Sequence, residues 1–189
     1  MKNIITLLLL CVCFQQIKAQ NDDAAFGENI VKTQSTHIVD VGWVGAGYTY
    51  EYAFAEHYTI SGSTGITGYA GYTSSDFFGN YWTYAFHPYV SIEPRYYYNL
   101  QKRVRKGKSI DGNTGSFLAV QGSYIFKPIK KHNVYGNVSA FAVAPYWGLR
   151  RIWWNHFLFE FRAGLAFGFN NYNDSNVGIT LGIRLGYKF

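Results

Sequence analysis

The last thirteen residues constrain the fold more than any other stretch. Across 177–189 every odd position is apolar: Val177, Ile179, Leu181, Ile183, Leu185, Tyr187 and Phe189. Every even position is small or polar: Gly178, Thr180, Gly182, Arg184, Gly186 and Lys188. A strand turns successive side chains to opposite faces, so this segment has one wholly apolar face and one narrow, cationic face. In a water-soluble sheet the apolar face needs a covering layer. In a transmembrane barrel it meets lipid, while Gly and Arg line a crowded interior.

Residues 157–169 repeat the pattern. Phe157, Phe159, Phe161, Ala163, Leu165, Phe167 and Phe169 share one face, and Glu160, Arg162, Gly164, Ala166 and Gly168 share the other. Strands of soluble proteins average only about 5–6 residues. A hairpin of two such long strands, turning at 170–176, is long enough to cross a bilayer at a tilt.

Weaker alternation continues toward the N-terminus. Residues 139–149 set Phe141, Val143, Pro145, Trp147 and Leu149 against Ala140, Ala142, Ala144, Tyr146 and Gly148. Residues 116–127 align Leu118, Val120, Tyr124 and Phe126; residues 86–98 set Phe86, Val90, Ile92, Tyr96 and Tyr98 against His87, Ser91, Glu93, Arg95 and Tyr97. Further strands are expected at 58–72 and at 48–54, where Tyr48, Tyr50, Tyr52 and Phe54 oppose Thr49, Glu51 and Ala53. Barrels of single bacterial chains have an even strand number, which predicts an eighth strand at 36–44, turning near Gly45-Ala46-Gly47 with Asp40 inward. The expected fold is all-β: an antiparallel up-and-down transmembrane β-barrel of eight strands. A soluble, lipocalin-like barrel is the alternative.

The N-terminus reads as a secretory signal peptide, with Lys2, an apolar run over 4–14 and a small residue, Ala19, before the cut. Both cysteines, Cys11 and Cys13, fall inside it, so the processed chain is expected to have no disulfide or thiolate chemistry. Residues 20–34 read as a flexible lead-in and 35–189 as the barrel. Aromatic residues make up 20% of the chain beside 20 glycines, which suits a barrel wall with interfacial aromatic girdles. The formal charge of +6 falls to +4 when Lys2 and Lys18 leave. The cations follow no nucleic-acid recognition motif, so no nucleic acid is expected as a partner.

Six inward charges stand out: Glu51, Glu93, Arg95, Glu160, Arg162 and Arg184. A narrow lumen requires them to pair, because an isolated buried ion is far more costly than a compensated one. The expectation is a salt-bridge network that fills the lumen; a gated solute path is the alternative. If the C-terminus faces the periplasm, 170–176, 129–135 and 73–82 are external, and 55–57, 100–115 and 152–156 are periplasmic. That places the longest connection where short turns are usual, so either it has a special role or the strand count is off by one. Its run Lys102-Arg103-Val104-Arg105-Lys106-Gly107-Lys108-Ser109 reads as a solvated loop touching lipid phosphates. It lacks the leading Gly of a phosphate loop, since position 102 is Lys.

The histidines His37, His57, His87, His132 and His156 show no metal-ligand spacing, so neither a metal nor a cofactor is expected. His132 with Ser74 or Ser75 is the nearest approach to a hydrolytic pair, and no motif surrounds it. No catalytic residues are assigned. The aromatic groups Tyr96-Tyr97-Tyr98, Trp153-Trp154 and Phe77, Phe78, Tyr81, Trp82, Tyr84 read as interfacial girdles.

The Ala-Gln signal ending, Tyr50-Glu51-Tyr52, the segment Ile92-Glu93-Pro94-Arg95-Tyr96-Tyr97-Tyr98 with its basic loop, and the terminal Tyr187-Lys188-Phe189 resemble small outer-membrane β-barrel proteins of Bacteroidota, similar to the OmpA/OmpX type. The ending resembles the insertion signal of such proteins, with Tyr187 and Phe189 as its carriers. The resemblance implies an integral outer-membrane location and the barrel fold; lipid and the insertion machinery are the expected partners, and a monomer without enzymatic activity is expected. The first functional reading is a structural or surface-interaction role. Transport of amphipathic or hydrophobic solutes and lipid modification are the alternatives.

Overall fold

The computed structural model describes residues 31–42, 45–74, 80–134, 136–171 and 174–189. The signal segment, most of the lead-in, Ser75, Phe77 and Phe78 lie outside them. Nine strands form: β1 (Thr36–Gly42), β2 (Gly45–Ala53), β3 (Tyr58–Thr73), β4 (Tyr81–Tyr96), β5 (Ser116–Ile125), β6 (Lys130–His132), β7 (Ala140–Trp153), β8 (Phe157–Asn170) and β9 (Ser175–Lys188). Each pairs antiparallel with its sequence neighbour, except that the short β6 follows β5 along the same edge of β4 and β7 pairs with β5. β5 and β6 therefore make one interrupted stave, and β1 pairs with β9 to close the ring. The result is an eight-stranded, up-and-down, closed β-barrel.

Alternation explains the staves. On β9, Leu185 and Tyr187 face out and Arg184 is buried; on β8, Leu158 and Glu160 are buried while Leu165, Phe167 and Phe169 are exposed. Every stave except the three-residue β6 repeats this, so large apolar side chains stand on the outside of the whole wall and charged ones inside.

Several boundaries differ from the sequence expectation. Gly45, Ala46 and Gly47 belong to β2, not to a turn: Gly42 lies opposite Gly45, so only two residues link β1 and β2. β4 begins five residues earlier than the alternation suggests, because Tyr81 and Trp82 pair with Thr73 and Tyr72. β7 continues through Arg150 to Trp153, leaving residues 154–156 as the turn.

The long 97–115 connection is a solvated loop only in its middle: Lys102 and residues 105–109 are exposed, while Tyr97, Leu100, Asn113 and Thr114 are buried. It carries the short helix α1 (Leu100–Arg105) and a single 3₁₀ turn at Asp111–Asn113, and it folds up into the barrel end that also holds both termini of the wall. Leu100 packs with Val31, Tyr97, Phe117, Ala119 and Tyr146, and Val104 lies against this cluster. Tyr97, read as part of a girdle, is fully buried. Gly112 sits at a φ of 52°, in the left-handed region that favours glycine, and a Cβ there would have to displace the ends of the Ile152 and Lys188 side chains. Lys188 Nζ donates to Asp111 Oδ2 at 2.8 Å, pinning the plug to the last stave. The end of the lead-in is anchored too: Thr33 N donates to Glu56 O at 3.0 Å, and Gln34 N to Asn113 Oδ1 at 2.7 Å.

The wall is close-packed where staves touch inside. A Cβ on Gly164 would lie 2.3 Å from Pro145 O and 2.6 Å from Tyr146 Cα, both backbone atoms that cannot swing away. Gly164→Val is therefore expected to lower stability by more than the ~1–3 kcal/mol usual for overpacking. Gly178→Ala, which meets nothing within 4 Å, should be neutral. Urea midpoints of the two variants check this.

Candidate functional site

The lumen is built by cross-stave pairing of charged positions. Arg150 on β7 lies directly opposite Glu160 on β8, and Glu160 lies directly opposite Arg184 on β9. Cross-strand neighbours on one face stand within side-chain reach, so these three make a continuous inward row. From across the lumen come Glu51 on β2 and Glu93 and Arg95 on β4.

Two carboxylates organise the cluster. Glu51 Oε2 accepts from Arg150 Nη1 at 2.8 Å and from Arg95 Nη1 at 3.3 Å. Its Oε1 accepts from Thr59 Oγ1 at 2.8 Å, Tyr97 OH at 2.9 Å and Asn113 Nδ2 at 3.0 Å. Glu160 Oε2 accepts from Arg150 Nη2 at 2.8 Å, Arg95 Nη1 at 3.1 Å and Arg184 Nη2 at 3.2 Å. Arg95 Nε also donates to Glu93, and its guanidinium lies 4.7 Å over the Phe117 ring. Arg184 reaches Asp40 Oδ1 at 3.7 Å, which brings in β1. Burial pushes the Tyr97 phenol, which lies beyond the end of β4, above its ordinary pKa, so it stays a neutral donor to Glu51.

The plug completes the set. Asn113 and the Gly112 carbonyl, 3.3 Å from Arg150 Nη1, approach from the 97–115 connection. Charge, plug and Leu158, Ile38 and Phe117 together fill this end of the lumen. We call it the closed end.

Of the six inward charges read from sequence, Glu51, Glu93, Arg95, Glu160 and Arg184 meet in this one cluster. Arg162 is different: among the described residues it makes no ion pair, and its guanidinium lies 5.8 Å from the Tyr146 ring. Sequence reasoning missed Arg150, which is fully buried and bonds to both central carboxylates. The signal was present, since Ala144, Tyr146, Gly148 and Arg150 keep the inward parity of β7. Leu100 and Val104, four residues apart, likewise mark the face of α1 that packs inward.

Beyond the cluster the lumen opens. A cavity of about 400 Å³ is lined by Asp40, Ser63, Tyr89, Gln121, Arg162 and Arg184, among others. Ser74 Oγ donates to Asn80 Oδ1 at 2.8 Å, and His132 stacks on Tyr84 at 5.4 Å. These are the contacts of the imagined hydrolytic pair. Tyr187 and Phe189 stand on the outer wall with ring centroids 5.1 Å apart. No group of three or more metal-ligating side chains occurs among the described residues.

Removing one member of a buried ion cluster leaves its partners uncompensated. Glu160→Ala, which strips a carboxylate from Arg95, Arg150 and Arg184, is expected to cost ~3–5 kcal/mol. Asn113→Ala should cost ~1–3 kcal/mol by leaving the Gln34 backbone N–H and carbonyl unpaired and removing one of the three donors to Glu51 Oε1. Equilibrium urea unfolding distinguishes the two. Comparison of the chain with protein-family models, with curated proteins and with solved structures returns no match.

Proposed function

We propose that the chain is an integral, non-enzymatic β-barrel of a bacterial outer membrane, with a structural or surface-interaction role carried by the loops at its open end. The observation that carries this reading is the barrel's inverted polarity. Asp40, Glu51, Glu93, Arg95, Arg150, Glu160 and Arg184 are buried inside, while Val39, Val41, Ile60, Ile92, Val120, Leu165, Phe167 and Leu185 stand exposed outside. Water as the surrounding solvent would penalise that outer face, and hydrocarbon would not.

The dimensions agree. From Tyr187 to Val177 the apolar face of β9 covers roughly 33 Å of strand, which at a tilt near 40° is roughly 25 Å of height, the apolar band of such barrels. Aromatic groups stand at both ends, as girdles at lipid–water interfaces do. Tyr58 stacks on Tyr96 at 4.9 Å and His156 on Tyr187 at 4.9 Å near the closed end; Tyr72 and Trp82 meet at 5.1 Å near the other. No helix among the described residues is long and apolar enough to cross a membrane, which says nothing about strands. The filled closed end supports a structural role over a through-channel, because solute would have to displace a buried ion cluster and the plug beneath it.

Two outcomes test the reading. The processed chain should stay with the membrane pellet at high pH, and its unboiled form should migrate differently from its boiled form in detergent electrophoresis. Recovery as a folded monomer in plain buffer would sink the proposal. Proteoliposomes loaded with the barrel should admit small sugars no faster than empty vesicles, in a swelling assay. Phe189→Ala should reduce the assembled, heat-shifting fraction in cells, with lesser effect on refolding in detergent, if Tyr187 and Phe189 are read by the insertion machinery.

A further inference from the structure

The wall is uneven in height, and the low place opens onto the cavity. β1 and β2 turn back at Gly42 and Gly45, while their neighbours continue far past them. β1 pairs with β9 only from Arg184, opposite Gly42, to Lys188, opposite Ile38, so residues 175–183 of β9 have no strand partner on that side among the described residues. On the other flank β2 begins at Gly45, opposite Thr67, and residues 68–73 of β3 have no strand partner on that side among the described residues. Among the described residues two strand edges thus face one another across a notch, above a hairpin whose strands are only seven and nine residues long. Val177, Ile179 and Leu181 record it: they are 69%, 79% and 69% exposed, against 39% and 49% for Leu185 and Tyr187 lower on the same face.

Rim and floor differ in chemistry. The rim of β9 is apolar, with Ile183, Leu181, Ile179 and Val177 in line. Behind it lies the cavity of about 400 Å³, with Arg162 and Arg184 in its lining. Arg162 stands opposite Gly182, and its side chain lies across that glycine; a Cβ there would be 2.9 Å from Arg162 Nε. Arg184 is engaged by Asp40 and Glu160, but Arg162, with five donors and no ion pair among the described residues, presents its guanidinium to the cavity.

A free strand edge in hydrocarbon carries unsatisfied backbone groups, so an occupant with polar groups is favoured there. The apolar rim favours one with acyl chains. The cationic lining favours a negative head that fits a guanidinium, for which phosphate is the best match. We propose that the notch is a lateral site for a membrane-borne amphiphile with a phosphate headgroup, the head entering the cavity toward Arg162 and the chains lying along Leu181, Ile179 and Val177. This rests on the membrane reading above. The blind lumen makes it a binding site and not a passage.

The test uses the processed barrel refolded in phosphatidylcholine vesicles, with heat-shift electrophoresis confirming folding. A bimane label is placed on Leu181→Cys at the rim or on Val120→Cys, which lies on β5 between two paired staves. Dodecyl phosphate with a brominated tail is the quenching probe. The rim label should be quenched at roughly tenfold lower mole fraction than the Val120 label, the size of one charge-assisted hydrogen bond. Arg162→Gln should abolish that difference, and Arg105→Gln on the exposed side of α1 should leave it intact. A brominated uncharged dodecyl glycoside should show no rim preference.

Equal quenching of both labels in a folded barrel overturns the proposal and leaves the membrane reading standing. Competition by inorganic phosphate at the same concentration as dodecyl phosphate overturns it in favour of a soluble anion site. Spontaneous rim-to-rim disulfide dimers of Leu181→Cys, formed in preference to probe binding, overturn it in favour of a second copy. Failure of the wild-type barrel to fold in vesicles overturns both readings.

Discussion

Arg150 lies between Glu51 and Glu160, 2.8 Å from an oxygen of each, and the closed end of the barrel is arranged around that bridge. The guanidinium offers a planar fork of donors that matches carboxylate geometry, so one residue ties β2, β7 and β8 together and reaches the plug through Gly112. Buried ion pairs contribute little net stability when compared with apolar replacements. Their strength is in specification. A one-residue slip of a charge-bearing stave such as β2, β4, β7, β8 or β9 would send its charge to the outer face and a large apolar side chain inward. The cluster therefore sets register around a ring whose outer surface, being uniformly apolar, discriminates poorly between registers.

The same cluster explains the plug. A short, solvated turn between β4 and β5 would leave Glu51 Oε1 short of the donor that Asn113 supplies, and Arg150 without the Gly112 carbonyl. The 97–115 connection is long because it returns to the lumen and seats Leu100 against Phe117 and Tyr97 beneath the ions. The polar contacts and the apolar seat depend on each other: burial of Tyr97 places its hydroxyl on Glu51, and the glycine conformation at 112 brings the turn close enough to be shared. Filling one end by this means leaves the cavity only at the other, where the low β1–β2 hairpin exposes it sideways.

Much of the fold was legible because period-two alternation survives wherever one face meets a different medium from the other. β8 and β9 could be drawn nearly to their observed ends on that basis. The failures share one cause. Arg150 was cut off because Arg150-Arg151 breaks the visual rhythm of β7, although the parity itself continues. Tyr97 was assigned to a girdle by the company of Tyr96 and Tyr98, yet parity already put it inside. The basic run at 102–108 is largely exposed, as its charges indicate, but those charges mask Leu100 and Val104, the two side chains that seat the connection in the barrel.

The sequence alone determined an all-β chain with an apolar exterior, a charged interior and long staves, because each is a local consequence of which side chain follows which. Tertiary structure decided which charges meet, that the longest connection becomes a plug, and that Arg162 lines a cavity with no ion pair among the described residues. Those outcomes depend on distances between residues far apart in the chain, such as Glu51 and Arg150, which are 99 positions apart. They are set by closure of the ring and by the unequal heights of its staves, and neither is written in any single segment.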